Sequence, residues 1–277
     1  MNPAQKALWY IESHLSAPLT LDEISSVAGV SRFHMVRAFA VATGFSVMRY
    51  VRARRLSEAA RALARGAPDI LSLALDADYG SHEAFTRAFR DHFGMTPEAV
   101  RSATCLDHLK LLEPILMDST TLDGLDPPRF ETAKAFLIAG VGGRFTHENG
   151  AGIPLLWQRY HGEVEEVPNK IGQVAYGVCC NSDDAGNFDY IAGVEVRDFS
   201  DLPREFSRVR IPEQKYAVFT HRDHIAAIRR TFNTIWNQWL PQSGFKVADA
   251  PIFERYDDRF DPATGNGGLE IWVPIKE

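Results

Sequence analysis

Apolar and polar positions in the first hundred residues repeat with a helical period. Residues 31–39 read SRFHMVRAF and residues 81–89 read SHEAFTRAF, so S-x5-R-A-F recurs at an offset of fifty. In each copy the apolar residues fall at i, i+3 and i+4: Met35, Ala38 and Phe39, then Phe85, Ala88 and Phe89. That spacing marks a helix that buries one stripe. Gly44 and Gly94 follow at the same distance in both copies, where glycine accepts the left-handed backbone of a helix end. Cap signals at Asn2-Pro3, Thr20-x-x-Glu23, Ser31, Ser46, Asp69, Ser81 and Thr96-Pro97 divide this region into about seven helices.

The pattern changes after residue 110. Residues 111–127 gather Pro, Asp, Thr and Gly, which reads as a linker. Strand-like runs follow at 135–142, 173–180, 190–197, 206–211, 216–221, Ile252–Tyr256 and 269–275, with amphipathic helical segments at Ile153–Glu163 and 225–240. Strand, helix and strands, then the same again, predicts a duplicated α+β unit. In LEIWVPI, Leu269, Ile271 and Val273 share one face while Glu270 and Trp272 share the other; IFERY puts Glu254 and Tyr256 together. The predicted fold is therefore multidomain: an all-α double helix-turn-helix domain over 1–110, the linker, and an α+β domain of duplicated strand-helix-strand-strand units over 128–277.

Charge sharpens this division. The net charge of −6 combines +2 over residues 1–104 with −8 over the remainder. Arginine supplies nearly all the early positive charge, with a cluster at Arg49, Arg52, Arg54, Arg55, Arg61 and Arg65 that suits either phosphate contact or a solvated face. The face opposite the apolar stripe carries Arg32, Phe33, Val36, Arg37 and Ala40 in the first copy, and His82, Glu83, Thr86, Arg87 and Arg90 in the second. Each follows a short helix and a tight turn, as in helix-turn-helix units whose second helix enters the major groove. There a guanidinium bonds guanine O6 and N7, and apolar groups touch thymine methyls. A plain helical bundle with solvated arginines is the competing reading.

LTLDEISSVAGVSRFHMVRAF, Gly44 and the closing GMTPEAVR resemble the DNA-binding domain of AraC/XylS-type transcription regulators over about residues 5–103. The resemblance implies base contacts from Phe33, Val36, Arg37, His82, Glu83, Thr86 and Arg87, with Arg32 and Arg90 near phosphates. One departure is Asp78 before Tyr79, where the family usually has glycine. Aspartate tolerates left-handed backbone, so the turn is expected to survive. With Glu83 nearby, the second copy is expected to read DNA less well than the first.

An aromatic beside a carboxylate on several strands suits an apolar molecule carrying positive charge; a half-exposed sheet with polar residues in water is the alternative. Tyr216-Ala-Val-Phe219, TFNTIWNQWLPQSG, PIFERYD and LEIWVPI are similar to GyrI-like effector-binding domains over roughly 128–277. That resemblance implies a cleft for small molecules, often lipophilic cations. The ligand carboxylate is expected at Glu254 or Glu270, with Glu195 third. The candidate cleft aromatics are Trp157, Tyr176, Tyr190, Trp236, Tyr256 and Trp272, of which Trp157 and Trp236 also suit a helix core.

The implied function is a one-component regulator that binds promoter double-stranded DNA, senses a small-molecule effector and contacts RNA polymerase. Some GyrI-like proteins are hydrolases, so a hydrolase or a sequestering protein fused to a DNA-binding domain is the alternative. No catalytic set is evident: G-x-S-x-G is absent, and the Cys179-Cys180 pair has no matching His motif. No cofactor or metal is expected; His221-Arg222-Asp223-His224 has no third ligand at a known spacing and reads as a polar turn. Three cysteines (Cys105, Cys179, Cys180), no apolar run of the ~20 residues that span a bilayer and no secretory pattern lead to an expected cytoplasmic location, without membrane partners. Two reading helices in one chain need no dimer, so a monomer is expected.

Overall fold

The computed structural model of the chain describes residues 1–67, 69–104, 106–116, 125–146 and 152–277. Cys105 and residues 117–124 of the linker lie outside them. The first part forms α1 (Pro3–Ser13), α2 (Leu21–Ala28), α3 (Arg32–Thr43), α4 (Val47–Ala64), α5 (Ile70–Asp76), α6 (His82–Phe93) and α7 (Pro97–Ala103). The expected caps carry these starts. Asn2 and Thr20 form reciprocal capping boxes with Gln5 and Glu23, and Ser31, Asp69, Ser81 and Thr96 accept backbone N–H groups. Ser46 holds the cap position of α4 without a side-chain bond. Gly29, Gly44 and Gly94 end helices in left-handed backbone.

Two cores form on either side of α4. Ile24, Met35, Phe39 and Tyr50 are buried in the first, and Leu56, Phe85, Phe89 and Val100 in the second. Each fully buried phenylalanine contributes about 1.5–3 kcal/mol by removal from water. Two members of the arginine cluster depart from both expectations made for it, while Arg49, Arg52 and Arg65 are exposed. Arg54 is buried and bonds Glu12 through two nitrogens (2.9 and 3.0 Å), Glu58 (3.1 Å) and the Leu112 carbonyl (2.8 Å). Arg55 donates to the carbonyls of Leu15 (2.9 Å) and Ala17 (2.6 Å) in one half and to Asp78 (2.7 Å) in the other. These two arginines pack the helices together because α4 runs between the two halves, so their guanidiniums are buried while the carboxylates they bind keep solvent contact. Asp78 adopts φ 66°, so the turn survives in left-handed backbone, and its carboxylate gains Arg55 as a partner.

The second part is one antiparallel sheet ordered β1-β6-β9-β8-β3-β4-β2-β5, with β7 pairing β9 outside that path. Its strands are β1 (Arg129–Ala133), β2 (Phe136–Thr146), β3 (Lys170–Cys180), β4 (Asn187–Val196), β5 (Ser207–Ile211), β6 (Gln214–His221), β7 (Lys246–Val247), β8 (Ile252–Tyr256) and β9 (Leu269–Lys276). The seven expected strands are present among the described residues; β1 and β7, short and lacking a period of their own, add to them. The duplication is visible in the order. β2-α8-β3-β4, with α8 at Ile153–Glu163, repeats as β6-helix-β8-β9, and the two units meet where β3 pairs β8.

The second helix begins as a short 3-10 turn (Ile225–Ala227). It continues as α9 (Ile228–Thr234), one π turn (Ile235–Trp239) and α10 (Leu240–Ser243). His224 caps its start by accepting from the Ala226 N–H, and buried His221 bonds the Thr231 hydroxyl, which fits the polar-turn reading of that His pair. Both helices cover one face of the sheet, over Tyr190, Ala192 and Val194 in one unit and Phe219, Ile271 and Val273 in the other. Tyr176, Val178, Tyr216, Phe253 and Trp272 pack on the opposite face.

Candidate functional site

Gly177 on β3 faces Glu254 on β8 across the seam between the two units. A Cβ at Gly177 would lie 2.1 Å from the Tyr190 hydroxyl and 2.5 Å from a Glu254 oxygen, so only glycine leaves room for both groups. Tyr190 and Tyr256 donate to the same Glu254 oxygen at 2.5 and 2.8 Å, and the Trp157 indole donates to Tyr190 at 3.1 Å. Trp157 also meets Tyr256 edge to face, 4.8 Å between ring centres. Protein surrounds the Glu254 carboxyl, which keeps partial solvent access only through the cavity above it. Burial raises its pKa against the lowering effect of the two phenol bonds, and the same burial and carboxylate hold both phenols above their ordinary value.

The cavity measures about 460 Å³, within the range of small-molecule sites. Its walls include Tyr190, Glu254, Trp236, Phe232 and Phe188, and its roof is Arg37, Ala40 and Val41 of α3. Of the sequence candidates, the structure brings together Glu254, Tyr190, Tyr256, Trp157 and Trp236. It separates the others. Glu270, Trp272, Tyr176 and Glu195 belong to the far face, because strand alternation sends them away from Glu254. There Glu270 pairs with Arg129 (3.0 Å), Arg259 (3.2 Å) and Arg255 (3.5 Å), which outweigh its burial and lower its pKa. Glu195 has a pKa raised by burial.

The two copies of the DNA-facing pattern sit in different surroundings. On α6, Glu83, Arg87 and Arg90 are exposed, and His82 and Thr86 are half-buried. On α3 the expected solvent face is covered by the second domain. Arg37 and Ala40 are buried beneath it, Phe33 is half-buried, and Arg32 is exposed but ion-paired with Asp22 and Asp184; Val36, expected on the outer face, is instead buried in the helical domain's own core. The cover is built from specific bonds. Asn237 donates to the Ala38 carbonyl (2.9 Å), Arg229 to those of Ala40 (3.1 Å) and Val41 (3.0 Å), and His34 to that of Trp236 (2.6 Å). The Arg37 guanidinium bonds Ser182 (2.8 Å), lies beside Cys179 Sγ and stacks over Phe33, 4.9 Å from its centre. Sequence period alone gave α3 a wet outer face because it contains no information about the second domain.

A profile of the GyrI-like small molecule binding domain matches residues 126–276, more than half of the chain. The chain belongs to the GyrI-like family. A helix-turn-helix domain profile matches residues 24–103, so an AraC-type DNA-binding domain precedes the GyrI-like domain. The transcriptional regulator Rob of Salmonella typhimurium is 26% identical over 97% of this chain and 96% of its own length. The transcriptional regulator BrlR of Pseudomonas aeruginosa is 34% identical over 51% of this chain and 52% of its own. The multiple antibiotic resistance protein MarA of Escherichia coli is 32% identical over 38% of this chain and 84% of its own length. The protein is a DNA-binding regulator with a small-molecule-sensing GyrI-like domain. Among the described residues no helix is long and apolar enough to cross a membrane. Sequence reasoning missed Gly177, Phe232 and Arg229 of the GyrI-like cavity; the strand register that sets Gly177 opposite Glu254 is the signal that finds the first.

Proposed function

We propose that the effector of this regulator is a lipophilic cation bound over Glu254 at the seam of the GyrI-like domain. The observation that carries this reading is a half-buried carboxylate whose partners among the described residues are two phenols and no cation, at the floor of an aromatic cavity. Such a carboxylate lacks a counter-charge, and aromatic faces attract cations. The role is binding: Glu254 supplies charge, Tyr190 and Trp236 supply apolar contact from the cavity wall, and Tyr256 and Trp157 complete the aromatic frame around the carboxylate. Titrating the protein with tetraphenylphosphonium and following tryptophan fluorescence tests it. Saturable quenching that is absent in Glu254→Gln is expected, and unchanged binding in that variant refutes the assignment. Turnover of a bound ester, lost in the same variant, would instead favour a hydrolase.

For DNA, α3 and α6 are the reading helices, with Phe33, Val36, Arg37, His82, Glu83, Thr86 and Arg87 toward bases and Arg32 and Arg90 toward phosphates. The exposed face of α6 supports its part directly. Arg87→Ala is expected to cost about 1–3 kcal/mol on a selected site and to relax preference at one base pair. An equal loss on random duplex would reduce Arg87 to a phosphate contact. Regulation then proceeds through contact with RNA polymerase at cytoplasmic promoters.

A further inference from the structure

Besides Glu254, two guanidiniums line the cavity: Arg229, exposed and bonded to the Ala40 and Val41 carbonyls, and Arg37. Arg37 hangs from its roof, 7% exposed, bonded to a serine hydroxyl and resting on a thiol, and its Nε is buried with no acceptor. Among the described residues, neither Arg37 nor Glu254 has a partner of opposite charge. Buried charges are normally paired, so the buried Arg37 on the roof and the half-buried Glu254 carboxylate on the floor, each without an opposite charge, mark an unfilled site. The roof is also the helix that faces DNA. Arg37 and Ala40 cannot enter a major groove while they lie against the GyrI-like domain.

We propose that the effector site is shared between the two domains: a lipophilic monocation seated on Glu254 repels Arg37, lifts α3 off the GyrI-like domain and frees it for DNA. The proposal rests on the reading of the cavity as the effector site and adds its regulation. Like charges in a water-poor cavity repel far more strongly than in solvent. A cation therefore favours the open arrangement, whereas an anion of the same shape is drawn to Arg37 and keeps α3 in place. DNA selects the same open arrangement, so cation and DNA must strengthen each other by equal factors. The closed arrangement is held by polar bonds to α3, chiefly from Asn237 and Arg229, and can be weakened without touching Glu254.

The test uses the full chain with two probes of one shape and opposite charge, tetraphenylphosphonium and tetraphenylborate. Binding is read by tryptophan fluorescence, α3 release by amide hydrogen exchange of α3 peptides, and DNA affinity on a random-sequence duplex pool at fixed salt. Tetraphenylphosphonium is expected to speed α3 exchange and tighten duplex binding about tenfold, while tetraphenylborate does neither. Arg37→Ala, which removes the repelling charge, is expected to bind tetraphenylphosphonium about tenfold more tightly. Asn237→Ala is expected to speed α3 exchange and tighten duplex binding without any probe. If tetraphenylphosphonium binds through Glu254 yet leaves α3 exchange and duplex affinity unchanged, or lowers them, the shared site is overturned and the effector reading stands. If it does not bind, the effector reading fails, and the shared site fails with it.

Discussion

Glu254→Gln separates what the cavity does for ligand from what it costs the fold. The substitution keeps the shape and an oxygen that accepts from Tyr190 and Tyr256, and removes only the charge. A cation about 4 Å from a carboxylate gains about 4 kcal/mol at an effective dielectric near 20, so the variant loses roughly 2–4 kcal/mol of cation binding, about 30- to 1,000-fold in Kd. Stability moves the other way. Burial raises the Glu254 pKa, so the folded chain holds that proton more tightly than the unfolded chain. Unliganded stability is therefore full at acid pH and falls as pH rises from the ordinary carboxyl range through the raised value. Glutamine removes that loss, and at neutral pH the variant is expected to gain about 1 kcal/mol, or about 2–4 °C in the melting temperature of the GyrI-like domain. In the native protein, affinity for a permanent cation should weaken as acid protonates Glu254. Calorimetric melting and tetraphenylphosphonium titration at neutral and acid pH measure all three effects. A variant that melts lower and binds the cation as before would refute the charge assignment.

Two other substitutions probe the frame around the site. Gly177→Ala forces a methyl against the Tyr190 hydroxyl and Glu254; overpacking of about 1–3 kcal/mol is expected, with loss of the Tyr190–Glu254 bond and weaker cation binding, readable by denaturant unfolding and titration. If Gly177→Ala binds and unfolds like the native chain, the close approach at the seam is not a constraint. Arg54→Ala strips Tyr50 and Glu12 of their cationic neighbour, and breaking this mostly buried pair is expected to destabilise the helical domain by about 3–5 kcal/mol; a loss near zero would mean that solvent already screens it.

Local rules made the helical half legible in the sequence. Caps, glycine ends and the i, i+3, i+4 stripe are decided within a few residues, and α1 to α7 follow them. Strand alternation likewise placed Glu254 with Tyr256 and Glu270 with Trp272. Which of the two pairs faces a cavity was beyond sequence, because both faces of this sheet are packed and polarity does not distinguish them. Glu270 looked equally suited until its three arginine partners came from β1, from β8 and from the chain just after β8. The roof of the cavity was hidden for a similar reason. Arg37 lies more than a hundred residues from Cys179 and Ser182, and a helical wheel treats any face without a partner in its own domain as wet. Asp78, by contrast, broke a family pattern and still kept the turn, with Arg55 nearby to accept its charge.

Arg55 has a consequence for the DNA itself. One guanidinium grips two carbonyls of the first helical half and the turn that launches α6 in the second. The two reading helices are thereby fixed in separation and in rotation, like the jaws of a caliper locked at one setting. Adding a single base pair between their contacts shifts one by about 3.4 Å and turns it by about 34° around the duplex. A rigid reader cannot follow that screw motion, so spacing between the two contacted segments should be an all-or-none property of the operator, tolerated only where the DNA bends to restore the phase.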